Sequence, residues 1–260
     1  MAIAAAPPWW VWRFLLRRFS WLVGIFGRVE VSRSIPDELL HGPLLFAANH
    51  IGDFDPVVVA VGLHRLGVTP RIMATGGIVS APVAGPLLER TGAIRVERGT
   101  ELARHAVRVT EVALVSGGHV VAYPEGRVGL TPDGWPERGR TGMARLALGL
   151  GVPVIPVSQW GAHEVLQYGN DWGKLRTLAR AIVRRPRLRL HVGPPVRLDD
   201  LHMGRVGDAN RARYRIAAAI TRGLVPLRAG ELERPAFIDP TRPTTAVAAF
   251  PGGVVPDDVP

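Results

Sequence analysis

The chain has 260 residues, with 32 Lys and Arg against 22 Asp and Glu, a net charge of +10 and no cysteine. The missing thiol excludes disulfides, thiolate metal sites and a cysteine nucleophile; a hydrophobic content of 47% and a mean hydropathy of +0.14 describe a folded, core-forming chain with some surplus apolar surface. All but one of the basic residues are arginine, Lys174 being the exception; this suits bidentate contact with phosphate and leaves nucleic acid, an anionic membrane or a phosphorylated small substrate as partner classes.

From Trp9 to Phe26 the N-terminal stretch is aromatic and aliphatic, broken by Arg13, Arg17 and Arg18. Those arginines, and the lack of a small-residue cleavage site, argue against a signal peptide. The uncharged run Phe19–Gly27 is far short of the roughly 20 residues that span a bilayer. On a helix, Arg13, Arg17, Ser20, Gly24 and Arg28 line one narrow stripe and, Arg18 apart, the rest of the circumference is apolar. That pattern predicts an amphipathic helix lying in a membrane interface, its arginines reaching lipid phosphates. A helix packed on the domain, or a dimer contact, is the alternative. Residues 1–30 are set apart as a membrane-associating segment.

From 31 to 228, short apolar runs alternate with helical patterns. The runs are Leu44–Ala48, Ile94–Val96, Val120–Tyr123, Val152–Val157 and Leu188–Val192; the helical patterns are Pro56–Leu66, Glu101–Val115, Arg140–Leu150 and Asp208–Leu224. The alternation predicts a single α/β domain with a largely parallel sheet flanked by helices. RLRLHV (187–192) alternates cleanly, which puts it near a sheet edge. Residues 229–260, rich in proline with a Gly-Gly pair and no period, read as an extended or disordered tail. No internal repeat is present.

Chemistry-bearing residues gather after the apolar runs. NHIGDFD (49–55) follows LLFAA. On one continuous helix His50 and Asp55 would lie about 140° apart, so they meet only across a turn. Gly52 disfavours a helix there, and Pro56 pushes Asp55 out of the α region. A turn between a strand end and a helix start places the pair where open α/β sheets bind ligands. A plainer reading remains: Asp55 as a helix N-cap, with Asn49 and Asp53 as turn residues. Asp53-Phe54-Asp55 is also a D-x-D, as in metal-dependent glycosyltransferases. Arg98 follows the second run, Glu125, Gly126 and Arg127 the third, and Ser158 and Gln159 the fourth. A base, a carboxylate and arginines at neighbouring strand ends point to transfer chemistry on a phosphorylated substrate. A basic stretch such as RRPRLRLH (184–191) is the case for a non-enzymatic binder of nucleic acid or membrane, but no helix-turn-helix, zinc-finger or RNP pattern accompanies it.

In order, NHIGDFD, GAIRVER (92–98), YPEG (123–126) and VPVIPV (152–157) resemble the four blocks of the glycerolipid (lysophosphatidic acid) acyltransferase family, whose first block is NH-x4-D. The resemblance implies His50 as general base and Asp55 as its partner, with Asn49 and Gly52 in support. It assigns Arg98, Glu125 and Gly126 to the acceptor site, with Arg127, Arg140 or Arg138 as the phosphate-holding charge. The third block is usually FPEGTRS; here Arg127-Val128-Gly129 stands where Thr-Arg-Ser is usual, so the arginine comes one residue early and both hydroxyls are missing. Further expectations are an acyl-CoA or acyl carrier protein donor, no metal or other cofactor, no nucleic-acid partner, and a lysophospholipid acceptor, by default 1-acylglycerol-3-phosphate. The protein is expected to sit peripherally or monotopically on the cytoplasmic face of the cell membrane, against anionic lipid.

Overall fold

A computed structural model of the protein describes residues 9–75, 91–96, 101–129, 131 and 134–229. Seven strands, β1 (Arg28–Arg33), β2 (Leu44–Ala48), β3 (Arg71–Thr75), β4 (Ile94–Val96), β5 (His119–Ala122), β6 (Val154–Trp160) and β7 (Arg187–Val192), form one sheet in the order β1-β7-β6-β2-β5-β3-β4. Strands β6, β2, β5, β3 and β4 run parallel. β7 is antiparallel to β6, and β1 is parallel to β7, so one edge of the sheet runs against the rest. The described helices are α1 (Trp9–Phe26), α2 (Asp55–Arg65), α3 (Glu101–Val115), α4 (Thr141–Leu150), the single turn α5 (Ala162–Val165), α6 (Asp171–Arg184) and α7 (Asp208–Leu227).

Helices cover both faces of the sheet. One layer packs α1, α2 and α6 on Leu44, Phe46, Ile155, Val157, Leu188 and Leu190; the other packs α3, α4 and α7 on Leu45, Ala47, Val120 and Val154. That is why every residue of β2 and of β6 is buried: a strand between two helical layers has no solvent side, so β2 is apolar throughout and β6 is apolar up to Ser158 and Gln159. β7 keeps the alternation of RLRLHV, with Leu188, Leu190 and Val192 inward, and is second in the sheet with β1 outside it.

Strands β1 (RVEVSR) and β3 (RIMAT) and helix α6 were not among the elements expected from the sequence. β1 is the edge strand, mixed and largely exposed, so it presents no apolar run. α6 buries only Ala181 fully, too thin a stripe to stand out. α1 forms over Trp9–Phe26, and it packs on the domain through buried Leu16 and Val23 while Phe14, Trp21, Leu22 and Ile25 stay exposed. One side of α1 thus packs on the domain and the other is left exposed. Arg98 and the tail beyond residue 229 lie outside the described residues.

The turn from β6 into α5 has no room for a side chain. Gly161 has φ +101°, and a Cβ there would stand 2.1 Å from the Arg187 carbonyl oxygen. Gly161→Ala combines about 1–2 kcal/mol of left-handed strain with about 1–3 kcal/mol of overpacking. Its denaturant midpoint should fall accordingly in an equilibrium unfolding curve, with the slope unchanged.

Candidate active site

β2 stops at Ala48, but its pairing with β6 continues through a side chain. The Asn49 amide Nδ2 donates to the Gln159 carbonyl at 3.0 Å, and its Oδ1 accepts from the Gln159 N–H at 2.8 Å. Asn49 is fully buried, so this two-point contact replaces the ladder bonds the departing backbone can no longer make. The next residue, His50, is fixed by its main chain. Its N–H donates to Glu125 Oε1 at 3.0 Å, and its carbonyl accepts from the Gly129 N–H at 2.7 Å. The segment after β5 thus clamps the histidine backbone on both sides.

The His50 ring points at Asp55. Nδ1 lies 2.8 Å from Asp55 Oδ2, which also accepts from the main-chain N–H of Ile51 at 2.5 Å and of Gly52 at 3.0 Å. A carboxylate only accepts, so the proton of a neutral ring sits on Nδ1 and the lone pair on Nε2. Tyr123 stacks on the other side of the ring, with centroids 4.4 Å apart and planes 29° apart. Burial, and then the nearby Asp55 charge, push the Tyr123 phenol well above its ordinary range, so it stays neutral against the imidazole. The ring is held on a face and at one nitrogen, and an edge of the side chain, 12% exposed, meets solvent.

Two local expectations are corrected. Asp55 is not the N-cap: α2 begins at Asp55 itself, Phe54 precedes it in the cap position with no side-chain hydrogen bond, and Pro56 falls just inside the helix. Pro56 therefore does not force Asp55 out of helical conformation; the turn ends one residue earlier, and the Asp55 carboxylate reaches back over the loop. Gly52 matters through contact: a Cβ there would lie 3.0 Å from both the His163 Cα and the Leu166 carbonyl oxygen. Asp53 and Asp55 also face different partners. Asp53 is held by Lys174 Nζ at 2.7 Å, so the two carboxylates of the D-x-D do not converge.

Glu125 is buried and clamps two loops. Oε1 takes the His50 N–H, and Oε2 takes the Glu137 N–H at 3.1 Å. Burial pushes its carboxyl up to about 8, against the pull of those two N–H groups. Gly129 lies against it, and a Cβ there would come within 2.7 Å of Glu125 Oε2. The unusual glycine at the end of the third block is thus matched to this carboxyl. Arg127 turns to Glu137, with Nε at 3.1 Å and Nη2 at 3.0 Å from Oε2. Arg138 donates to the Tyr214 hydroxyl at 3.2 Å and lies over its ring. Arg140 is exposed at the start of α4. The structure thus brings Asn49, His50, Gly52, Asp55, Glu125 and Gly126 into one neighbourhood, with Arg127 tied beside it.

Sequence reasoning gave no role at the site to Tyr123, Glu137 or Lys174. Tyr123 carried a signal, since it sits inside YPEG. Lys174 carried another, being the chain's one lysine. Glu137 gave none, because its contact with Arg127 spans a loop.

A family model described as Acyltransferase matches residues 28–160, from the start of β1 to the end of β6. The crystal structure of the 1-acyl-sn-glycerophosphate (LPA) acyltransferase PlsC from Thermotoga maritima has the same fold, with a TM-score of 0.59 and 20% sequence identity over 84% of this chain and 81% of that one. No curated protein matches the chain in sequence.

The Glu125 carboxyl gives a pH test. Its folded value, about 8, is above the ordinary 4.5, so the folded state holds a proton that the unfolded chain releases, and stability falls as pH rises between those values. Measured against Glu125→Gln, which does not titrate, the wild type should lose relative stability progressively from pH 4.5 to 8 and level off above. A flat difference across that window in urea unfolding would contradict the assignment.

Proposed function

The chain belongs to the acyltransferase family, and from that premise we propose that it transfers a fatty acyl group from acyl-CoA or acyl carrier protein to a lysophospholipid hydroxyl. The acceptor proposed is 1-acylglycerol-3-phosphate and the product phosphatidic acid, feeding phospholipid synthesis. The observation that carries the reading is the His50–Asp55 contact, with Nδ1 engaged at 2.8 Å and the lone pair left on Nε2.

The acceptor hydroxyl attacks the thioester carbonyl carbon while His50 Nε2 takes its proton, a role worth about 10²–10⁴-fold. Asp55, accepting from Nδ1, fixes the tautomer and stabilises the imidazolium as it forms. The tetrahedral intermediate then breaks its C–S bond. The departing sulfur has a conjugate acid near about pKa 8.5 if it behaves as an ordinary thiol, so it leaves as thiolate or takes the proton back from His50. No acyl-enzyme is needed, since the chain has no cysteine and no G-x-S-x-G serine.

For the acceptor phosphate we assign Arg98, with Arg138 or Arg140, because Arg127 already serves Glu137. That same engagement favours a second reading of acceptor scope, in which another lysolipid or a glycolipid is used. No helix among the described residues is long and apolar enough to cross a membrane, so membrane contact is proposed through the exposed side of α1, on the cytoplasmic face and against anionic lipid.

Purified protein given labelled acyl-CoA or acyl carrier protein and a panel of lysolipids should make phosphatidic acid as the main product by mass; a product lacking phosphate would move the acceptor assignment. His50→Ala should lower turnover at least about 10²-fold with unchanged circular dichroism, and near-normal turnover would remove the mechanism. Asp55→Asn should also lose turnover, and about 1–3 kcal/mol of stability, because its amide –NH₂ would be buried where Asp55 Oδ1 already has no partner. Arg98→Ala should raise the KM for a phosphorylated acceptor and leave that for the donor.

A further inference from the structure

Helix α6 has an outer half that resembles nothing needed for folding. Trp172 is 80% exposed and Val183 84%, with Leu175 and Ile182 each at least half exposed. At 100° per residue, these four and exposed Ala179 fall within an arc of about 100°. That arc points away from Ala181, the one residue the helix buries fully. Beside it runs a second exposed stripe, Arg176, Arg180 and Arg184, at i, i+4 and i+8. The exposed side is therefore itself amphipathic, with an apolar band bordered along one side by cations.

The ends of α6 are both tied. At its start Lys174 bonds Asp53, three residues from His50, and the Asp53 N–H donates to the Leu166 carbonyl just upstream. At its end Arg185 donates to the Gly24 carbonyl of α1 at 2.6 Å. α1 lies on the same side of the sheet and exposes Phe14, Trp21, Leu22 and Ile25 beside Arg17 and Arg18. Two neighbouring helices thus present apolar side chains among arginines, on a chain of net charge +10.

We propose that α6 is a second membrane-docking helix, which joins α1 in one surface that sits on an anionic bilayer and holds the His50 loop at the lipid boundary. The occupant is chosen by charge. A partly apolar surface rimmed by arginines matches lipid acyl chains below a layer of phosphates, whereas a second copy of this surface would set arginine against arginine. With α6 seated, its first turn, tied to the loop through Lys174 and Asp53, holds the loop close to headgroup depth, so an acceptor enters from the membrane without crossing bulk water. The inference rests on the reading that the acceptor is membrane-borne.

The test uses the purified full chain with vesicles of phosphatidylcholine alone or mixed with anionic phosphatidylglycerol. Trp172→Ser/Val183→Ser should weaken partition to mixed vesicles about tenfold or more, since each side chain contributes about 1.5–3 kcal/mol when fully buried. Arg176→Gln/Arg180→Gln/Arg184→Gln should weaken it on mixed vesicles only and flatten its salt dependence. Turnover of a short-chain, water-soluble lysolipid should stay within about twofold in both variants, while turnover of a vesicle-embedded one falls with partition. If both α6 variants bind vesicles as the wild type does while Trp21→Ser does not, α1 docks alone and the proposal is overturned. It is overturned equally if the wild type sediments as a dimer that either α6 variant dissociates. Vesicle binding that depends on α6 in a protein that acylates no lysolipid would sustain the docking surface and sink the acceptor reading instead.

Discussion

A buried carboxylate must be surrounded by donors, because the energy it loses on leaving water is regained only through charge-assisted hydrogen bonds. Asp55 is completely buried, and three donors converge on one of its oxygens: the ring of His50 and the N–H groups of Ile51 and Gly52. The loop between β2 and α2 is wound around that oxygen. Its shape is thus set by electrostatics, and the histidine orientation comes as part of the same arrangement. The sheet supplies the anchor, since Asn49 carries strand pairing one step past β2 and presents His50 at the carboxyl end of a central strand.

A second carboxyl serves a different end. Glu125 gathers main-chain N–H groups from His50 and from Glu137, and so joins the His50 loop to the segment leading into α4. Because burial dominates, its carboxyl titrates about 8. Asp55 and Glu125 accept hydrogen bonds from the same short loop, yet their duties differ: one faces the ring nitrogen and the other only the backbone. The close approach of Gly129 to Glu125 gives a physical reason for the absence of a side chain there, and the pairing of Arg127 with Glu137 accounts for an arginine placed one residue early.

Legibility from sequence followed burial. β2 and β6 are covered on both faces, so LLFAA and VPVIPV stand out as apolar runs, and with the intervening helical patterns they disclose the layered α/β architecture. β1 escapes because its alternation, Val29 and Val31 between Arg28, Glu30 and Ser32, is too short and too exposed to form an apolar run. α6 escapes for the opposite reason: its apolar residues face outward, and a periodic pattern does not tell which side meets the core. The pairing of His50 with Asp55 was legible because five residues with a glycine between them leave few ways to turn. The local cause was not, since the start of α2 depends on carboxylate contacts that a proline rule does not contain. The partners of Arg127 and Asp53 were out of reach, because ion pairs across loops leave no periodic trace.

The Lys174–Asp53 contact has a practical corollary. The side-chain ε-amine of Lys174 is unique in this chain, and it stands at the rim of the loop that carries His50, partly open to solvent. Amine-selective reagents, which on most proteins give a mixture of many adducts, would therefore find here one side chain besides the α-amine. A dye or spin label joined at Lys174 would report on the surroundings of the His50–Asp55 pair from a single defined position.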